Sequence, residues 1–317
     1  MQPHIVAITD EASGASAQIL VSLGFNCFSW RPVLEEGPRE MFWAHPAFAA
    51  GDERPSGSGV PLLFPFPGRI AGAKYSFGGR EYQLEPGDAF GNAIHGFVHT
   101  RPWRVVEQSE NRVVGDFQAS RDDASILERW PADFRIRVSY EVRGLELISD
   151  IRYDNVGSGP LPCGFATHTY FRLPLIDSSD AEETIVSVPA HRYWELVDMI
   201  PTGKRSDVPA EQALDQQRPL GKRAYDTSFT DLSCNEAGIV RTELADPKSG
   251  RRLVQSFDKS FTQCVVYTPP HREAICMEPY TCVPNAIQLQ ASGVETGLQI
   301  LQPGESFATT IRNAVSG

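Results

Sequence analysis

Apolar and polar positions alternate along much of this chain with a period of two, in short runs. Residues 134–142 read FRIRVSYEV, and after Gly144 the run LELISDIRYDN begins, so two β-rich segments flank a glycine turn. That is how an antiparallel hairpin is written. The same reading predicts strands over 17–30, over 74–77 turning through Gly78 and Gly79 into 81–84, and over 112–117, 263–268, 286–290, 297–301 and 306–311. No stretch keeps a 3.6-residue apolar period over three turns, so no long helix is predicted. Residues 49–60, rich in glycine, serine and charge, and 202–223, with prolines, glutamines and mixed charge, read as long connections. Either could be an exposed loop near a site. With 26 glycines and 24 prolines punctuating the runs, the pattern predicts an all-β, predominantly antiparallel protein of sandwich or barrel type.

A chain of 317 residues has room for two ordinary domains or one large β body. Neither connection separates halves of different composition, so a single domain over 1–317 is the simpler expectation. Hydrophobic residues at 41% and charged residues at 22% suit a sizeable core and argue against a disordered chain. The formal net charge is -11. Without a Lys/Arg run to track a phosphate backbone, nucleic acid is excluded as an expected partner. The N-terminus lacks the pattern of an export signal, and no unbroken apolar stretch could cross a bilayer as a helix. A cytoplasmic protein that does not engage a membrane is expected. Six scattered cysteines without C-x-x-C or His-paired spacing imply neither a disulfide framework nor a zinc site.

Four segments place an ionisable side chain in an apolar, proline-punctuated setting. They are PLLFPFPGRIAG around Arg69, GNAIHGFVHTRPW around His95, GFATHTYFRLP around His168 and CMEPYTCVPNA around Glu278. Any one of them alone is more often a hydrogen-bonded structural residue than a functional one. Together they supply a cation, two imidazoles and a carboxylate on separate strand-like segments, which is what a concave polar site on a β scaffold requires.

The order FPFPGRIAGAKYSFGGREYQL, NAIHGFVHTRPW, THTYFRL and a late MEPYTCVPNA, closed by LQPGESF, resembles the aldose 1-epimerase (galactose mutarotase-like) family nearly end to end. The resemblance implies a large antiparallel β-sandwich, the galactose mutarotase-like supersandwich, with its site on a concave face and no cofactor. It puts His168 where the family has its general acid and Glu278 where it has its general base. Arg69 and His95 fall at substrate-orienting positions, and Asp226, in AYDTSFTDL, at that of a sugar-binding carboxylate. His95-Gly96-Phe97 looks more like the branch acting on hexose 6-phosphates than the galactose branch, whereas His99 stands where that branch usually has an arginine. The resemblance therefore leaves the sugar open.

Anomer interconversion asks for these residue types in its own right. A base takes the proton of the anomeric hydroxyl while an acid protonates the ring oxygen; the open aldehyde rotates and recloses. A carboxylate and an imidazolium suffice, and Glu278 or Asp226 nearby would favour a charged His168 near neutral pH. The expected partner is a small-molecule sugar, and the expected assembly a monomer or homodimer. No metal-ligand spacing or phosphate-cradling loop calls for a cofactor. One alternative is a hexose-6-phosphate 1-epimerase, with Arg69, Arg101, Arg104 and Arg172 as candidate phosphate cations. The other is a non-catalytic sugar-binding module, against which the joint presence of Glu278 and His168 argues.

Overall fold

The computed structural model describes residues 2–316. Most of the paired chain lies in two large antiparallel sheets. The nine-stranded sheet runs in the order Arg104–Gln108, Arg112–Gln118, Phe134–Arg143, Glu146–Asn155, Ser306–Ser316, Arg252–Asp258, Ile239–Ala245, Ile185–Ser187 and Arg218–Pro219. The eight-stranded sheet runs Ile200–Asp207, Ala190–Val197, Asp226–Leu232, Gln263–Tyr267, Ala274–Tyr280, Ala166–Thr167 and Leu62–Leu63, with Tyr170–Arg172 also pairing on Ala274–Tyr280. A three-stranded sheet, Ile5–Asp10, Ala15–Leu20 and Asn26–Arg31, adds to these. This is the antiparallel β-sandwich that the alternation and the family resemblance predict. Among the described residues no helix is long and apolar enough to cross a membrane.

The predicted hairpin forms as written, with Phe134 opposite Asn155 and Arg143 opposite Glu146. Its inward residues Ile136, Val138, Tyr140, Ile151 and Tyr153 join Cys264, Val266, Ile275 and Met277 of the other sheet in one buried cluster. Each large sheet thus gives one face to a common core, where burying a large apolar side chain contributes about 1.5–3 kcal/mol. The other face of the eight-stranded sheet carries smaller apolar clusters, among them one of Leu63, Ala166, Val265 and Tyr280 and one of Tyr170, Ala274 and Cys276. That second face is free to hold a polar site.

Three expectations from the sequence need correction. Residues 286–290 are not a strand but part of a helix, Ala286–Ala291, that buries Ala286, Ile287 and Leu289. Asn285 enters it with φ 63°, and its side-chain oxygen accepts from the Ala71 backbone N–H at 3.1 Å. A tertiary contact, not periodicity, sets the helix start. The run 17–30 is two strands, broken at a turn where Gly24 takes φ 71°. The stretch 202–223 begins inside the strand Ile200–Asp207 and includes Arg218–Pro219, while 49–60 is a connection as expected. The strand Ala274–Tyr280 escaped the reading because it is buried on both faces and so shows no alternation.

Candidate active site

Strand register assembles the site. Asp226 lies opposite Tyr267 and Ser228 opposite Val265, while Val265 lies opposite Glu278 and Tyr267 opposite Cys276. Because side chains alternate along a strand, Asp226, Ser228, Val265, Tyr267, Cys276, Glu278 and Tyr280 share one face. Phe229, Cys264, Val266, Ile275 and Met277 point the other way, into the core. His168 joins from the link between Ala166–Thr167 and Tyr170–Arg172, its backbone N–H donating to the Pro61 carbonyl at 3.0 Å.

Arg69 and His95 come from a short antiparallel pair, Arg69–Ile70 with Ala93–Ile94. The His95 backbone N–H donates to the Gly68 carbonyl at 2.7 Å, and His95 itself takes the left-handed φ of 67°. Gly96 follows at φ 71°, so close to the neighbouring chain that a Cβ there would sit 2.1 Å from the Phe64 carbonyl oxygen. Strained backbone of this kind persists where surrounding contacts hold it. Here it turns the His95 ring toward His168, with ring centroids 5.5 Å apart.

All five residues singled out in the sequence, Arg69, His95, His168, Asp226 and Glu278, line one cleft of about 830 Å³ including its open mouth. His168 Nε2 lies 3.4 Å from Glu278 Oε1. Glu278 is 1% exposed. Its Oε2 accepts from the Tyr280 hydroxyl at 3.1 Å, while Oε1 and His168 Nδ1 have no well-formed hydrogen bond among the described residues. The His168 ring stacks on Tyr170 at 4.9 Å and 8°, which fixes its plane. Arg69 Nε donates to Asp88 Oδ2 at 2.9 Å, and Asp88 is in turn held by the Phe90 and Asn92 N–H groups. Asp226 stands at the mouth, its carboxyl raised by the surrounding protein against the pull of Arg69.

Burial controls the titration of the central pair. It pushes the His168 imidazole down to about 3, helped by the positive charges of Arg54 and Arg69. It raises the Glu278 carboxyl well above the usual range, and the charge of Asp226 adds to the rise against the Tyr280 hydrogen bond. A neighbouring carboxylate therefore does not keep His168 charged, contrary to the sequence-based expectation. Taking both ions out of water opposes charging by more than a 3.4 Å contact between them returns. Burial thus favours the neutral form of each, one proton on the carboxyl beside an uncharged imidazole. Burial also lowers His95 well below its ordinary value and His99 to about 4.

The sequence reading missed several residues lining the cleft. Tyr170 and Tyr280 lie two positions from His168 and Glu278, so strand periodicity could have found them; Tyr267 needed the pairing register. Arg54 and Ser56 reach in from the 49–60 connection, where only its loop character gave a hint. Of the arginines proposed for phosphate, Arg69 lines this cleft and is paired with Asp88, while the other three lie elsewhere: Arg101 pairs with Asp123, Arg104 with Asp116 and Asp122, and Arg172 is an exposed residue of its strand. Among the described residues one trio could hold a metal ion, His168, Cys276 and Glu278, with ligand atoms within 4.8 Å of one another. Burial raises the Cys276 thiol well above its ordinary value, which disfavours the thiolate a metal needs.

Fold and cleft define a β-sandwich protein with an imidazole–carboxyl pair in a polar cleft. A family model described as aldose 1-epimerase matches residues 28–313, and the chain belongs to that family. It is 23% identical over 249 residues to the uncharacterized protein YihR of Escherichia coli K12, covering 77% of this chain and 75% of that one. A galactose mutarotase-like protein from Clostridium acetobutylicum superposes with a TM-score of 0.86 at 20% identity, covering 100% of this chain and 99% of that one. The galactose 1-epimerase of Lactobacillus acidophilus NCFM gives 0.74 at 17% identity, over 99% of each chain. At these identities the structural likeness speaks for a common fold.

Proposed function

We propose that the protein interconverts the α and β anomers of an aldose, with Glu278 and His168 exchanging protons at the anomeric centre. The observation that carries this reading is the pair itself. A buried imidazole and a buried carboxyl face each other at 3.4 Å inside a cleft. The anomeric hydroxyl and the ring oxygen are bonded to one carbon, so two adjacent side chains can serve both. A site meant only to bind would gain nothing from two proton carriers aimed at the same carbon.

The single proton held by the pair suits the reaction. Moving from Glu278 to His168 as the sugar's polar groups replace water, it yields a carboxylate that takes the hydroxyl proton and an imidazolium that protonates the ring oxygen. The ring bond then breaks, the C1–C2 bond rotates, and reclosure on the other face returns both protons. Arg69, steadied by Asp88, together with His95 and Asp226 holds the sugar hydroxyls and so fixes the ring against the pair. Neither step asks for a metal or nucleotide.

The test is anomer exchange followed by saturation-transfer NMR across free hexoses and their 6-phosphates, in the presence of a chelator. Accelerated exchange of at least one sugar is expected. Absence of exchange for all of them, or exchange that chelation abolishes and a divalent metal restores, would overturn the cofactor-free mutarotase reading.

A further inference from the structure

Glu278 has two carboxyl oxygens, and the fold treats them differently. Oε1 faces His168 Nε2 at 3.4 Å and has no well-formed hydrogen bond among the described residues. Oε2 accepts from the Tyr280 hydroxyl at 3.1 Å. Both residues are buried, Glu278 at 1% and Tyr280 at 2% exposure. A phenol shut away from water must donate somewhere or bear the full cost of its desolvation, and Glu278 is the partner it has here.

Strand geometry makes this arrangement rigid. Tyr280 lies two positions beyond Glu278 on Ala274–Tyr280, so the two side chains share a face. Its ring packs with Leu63, Ala166 and Val265. The next residue is pinned, the Thr281 backbone N–H donating to the Phe165 carbonyl at 2.9 Å while Thr281 Oγ1 accepts from the Phe165 N–H at 2.8 Å. His168 is held by the same spacing. Tyr170, two positions on, stacks on the imidazole at 4.9 Å, and its own hydroxyl donates to the Ser56 carbonyl at 3.0 Å. One tyrosine sets the plane of the imidazole, the other the orientation of the carboxyl.

We propose that Tyr280 is a positioning residue that keeps the Glu278 proton on Oε1. With Oε2 occupied as an acceptor, the acid proton stands on the oxygen that faces His168 Nε2. This inference rests on the mutarotase reading and gives that reaction's proton its starting atom. When the sugar binds, the O–H bond at Oε1 breaks and an N–H bond forms at Nε2, leaving a carboxylate and an imidazolium. The Tyr280 hydrogen bond strengthens at that step, because its acceptor has become charged. Oε1, freed of its proton, then takes that of the anomeric hydroxyl. Without the phenol the proton would divide between the two oxygens, and the share on Oε2 would not lie on the 3.4 Å contact.

The experiment uses the full chain as wild type, Tyr280→Phe, Glu278→Gln and the double variant, with the hexose or hexose 6-phosphate that the wild type exchanges fastest. Phenylalanine keeps the ring among its apolar neighbours and removes only the hydroxyl. Tyr280→Phe should lower kcat on the order of 10- to 100-fold, with KM near that of the wild type. In the Glu278→Gln background the same change should cost little more, because no carboxyl proton is left to aim. Equal fold-losses in the two backgrounds, or a loss confined to KM, would show a tyrosine that supports the fold or touches the sugar, and would overturn the proposal. Infrared difference spectra give a readout without turnover. The C=O stretch of protonated Glu278 is isolated at mildly acidic pH by subtracting the spectrum of the matching Glu278→Gln protein. It should move to higher frequency in Tyr280→Phe, since Oε2 loses its donor, and an unmoved stretch would overturn the proposal. Should the wild type exchange no anomers, the mutarotase reading falls, and the stretch alone then decides which oxygen carries the proton.

Discussion

Replacing Glu278 by Gln keeps the shape of the side chain and its neighbour Tyr280 but removes the proton carrier. Replacing His168 by Asn does the same on the other side of the 3.4 Å contact. Each should lower kcat for anomer exchange by about 10²- to 10⁴-fold with the protein still folded, and the double variant should be little worse than either single one. Full activity in Glu278→Gln would remove the carboxyl from the chemistry. The pH dependence of kcat/KM reports the free enzyme, and there burial sets the direction. The active form of the pair carries one proton. Falling pH adds a second only where His168 titrates, at about 3, and rising pH removes the first only where the raised Glu278 ionises. We therefore expect no acidic limb at about 6.5, where a solvated imidazole titrates. A half-loss of kcat/KM between pH 6 and 7 on the acid side would show a His168 that titrates as if in water.

Short elements, rather than the large sheets, position the orienting residues, and their backbone is the point of vulnerability. Gly96 and Gly78 both hold left-handed backbone, at φ 71° and 58°. A methyl at Gly78 meets nothing within 4 Å, whereas one at Gly96 lies 2.1 Å from the Phe64 carbonyl oxygen. Alanine at Gly78 should cost about 1–2 kcal/mol for the backbone alone. At Gly96 the clash should add roughly 1–3 kcal/mol and displace His95, so activity falls as well. Urea denaturation of the two variants side by side checks this, and equal midpoints would mean that the Phe64 segment yields without resistance. The strand Ala274–Tyr280 makes a related point about legibility. It carries the central carboxyl, yet being buried on both faces it reads as neither alternating nor amphipathic.

Across the whole molecule, the two faces of the eight-stranded sheet divide stability from chemistry, and adjacent residues show it. Met277 is buried in the shared core and Glu278 faces the cleft. Met277→Ala should destabilise by about 2–5 kcal/mol, as large-to-small core changes do. Glu278→Gln should be neutral or stabilising. A carboxyl whose folded-state pKa is raised makes the fold lose stability as pH rises from the ordinary carboxyl range through the raised value, and Gln lacks that loss. Thermal melts at neutral pH check both, and a Glu278→Gln protein destabilised as strongly as Met277→Ala would make the carboxyl a structural group. The sequence by itself determined the antiparallel β character, because period-two alternation records which side of a strand meets the core. It also singled out Arg69, His95, His168 and Glu278, because ionisable groups set among apolar and proline-rich residues stand out as exceptions that need partners, while Asp226 came from the family resemblance. Tertiary structure alone decided that these five share a cleft, because pairing register joins residues more than a hundred positions apart. It decided the helix at Ala286–Ala291, whose start rests on a contact with Ala71, and it brought Arg54 to the site from a connection without periodicity. It also reversed the charge state expected of His168, because sequence shows which groups are neighbours in kind but not how much water folding removes from them.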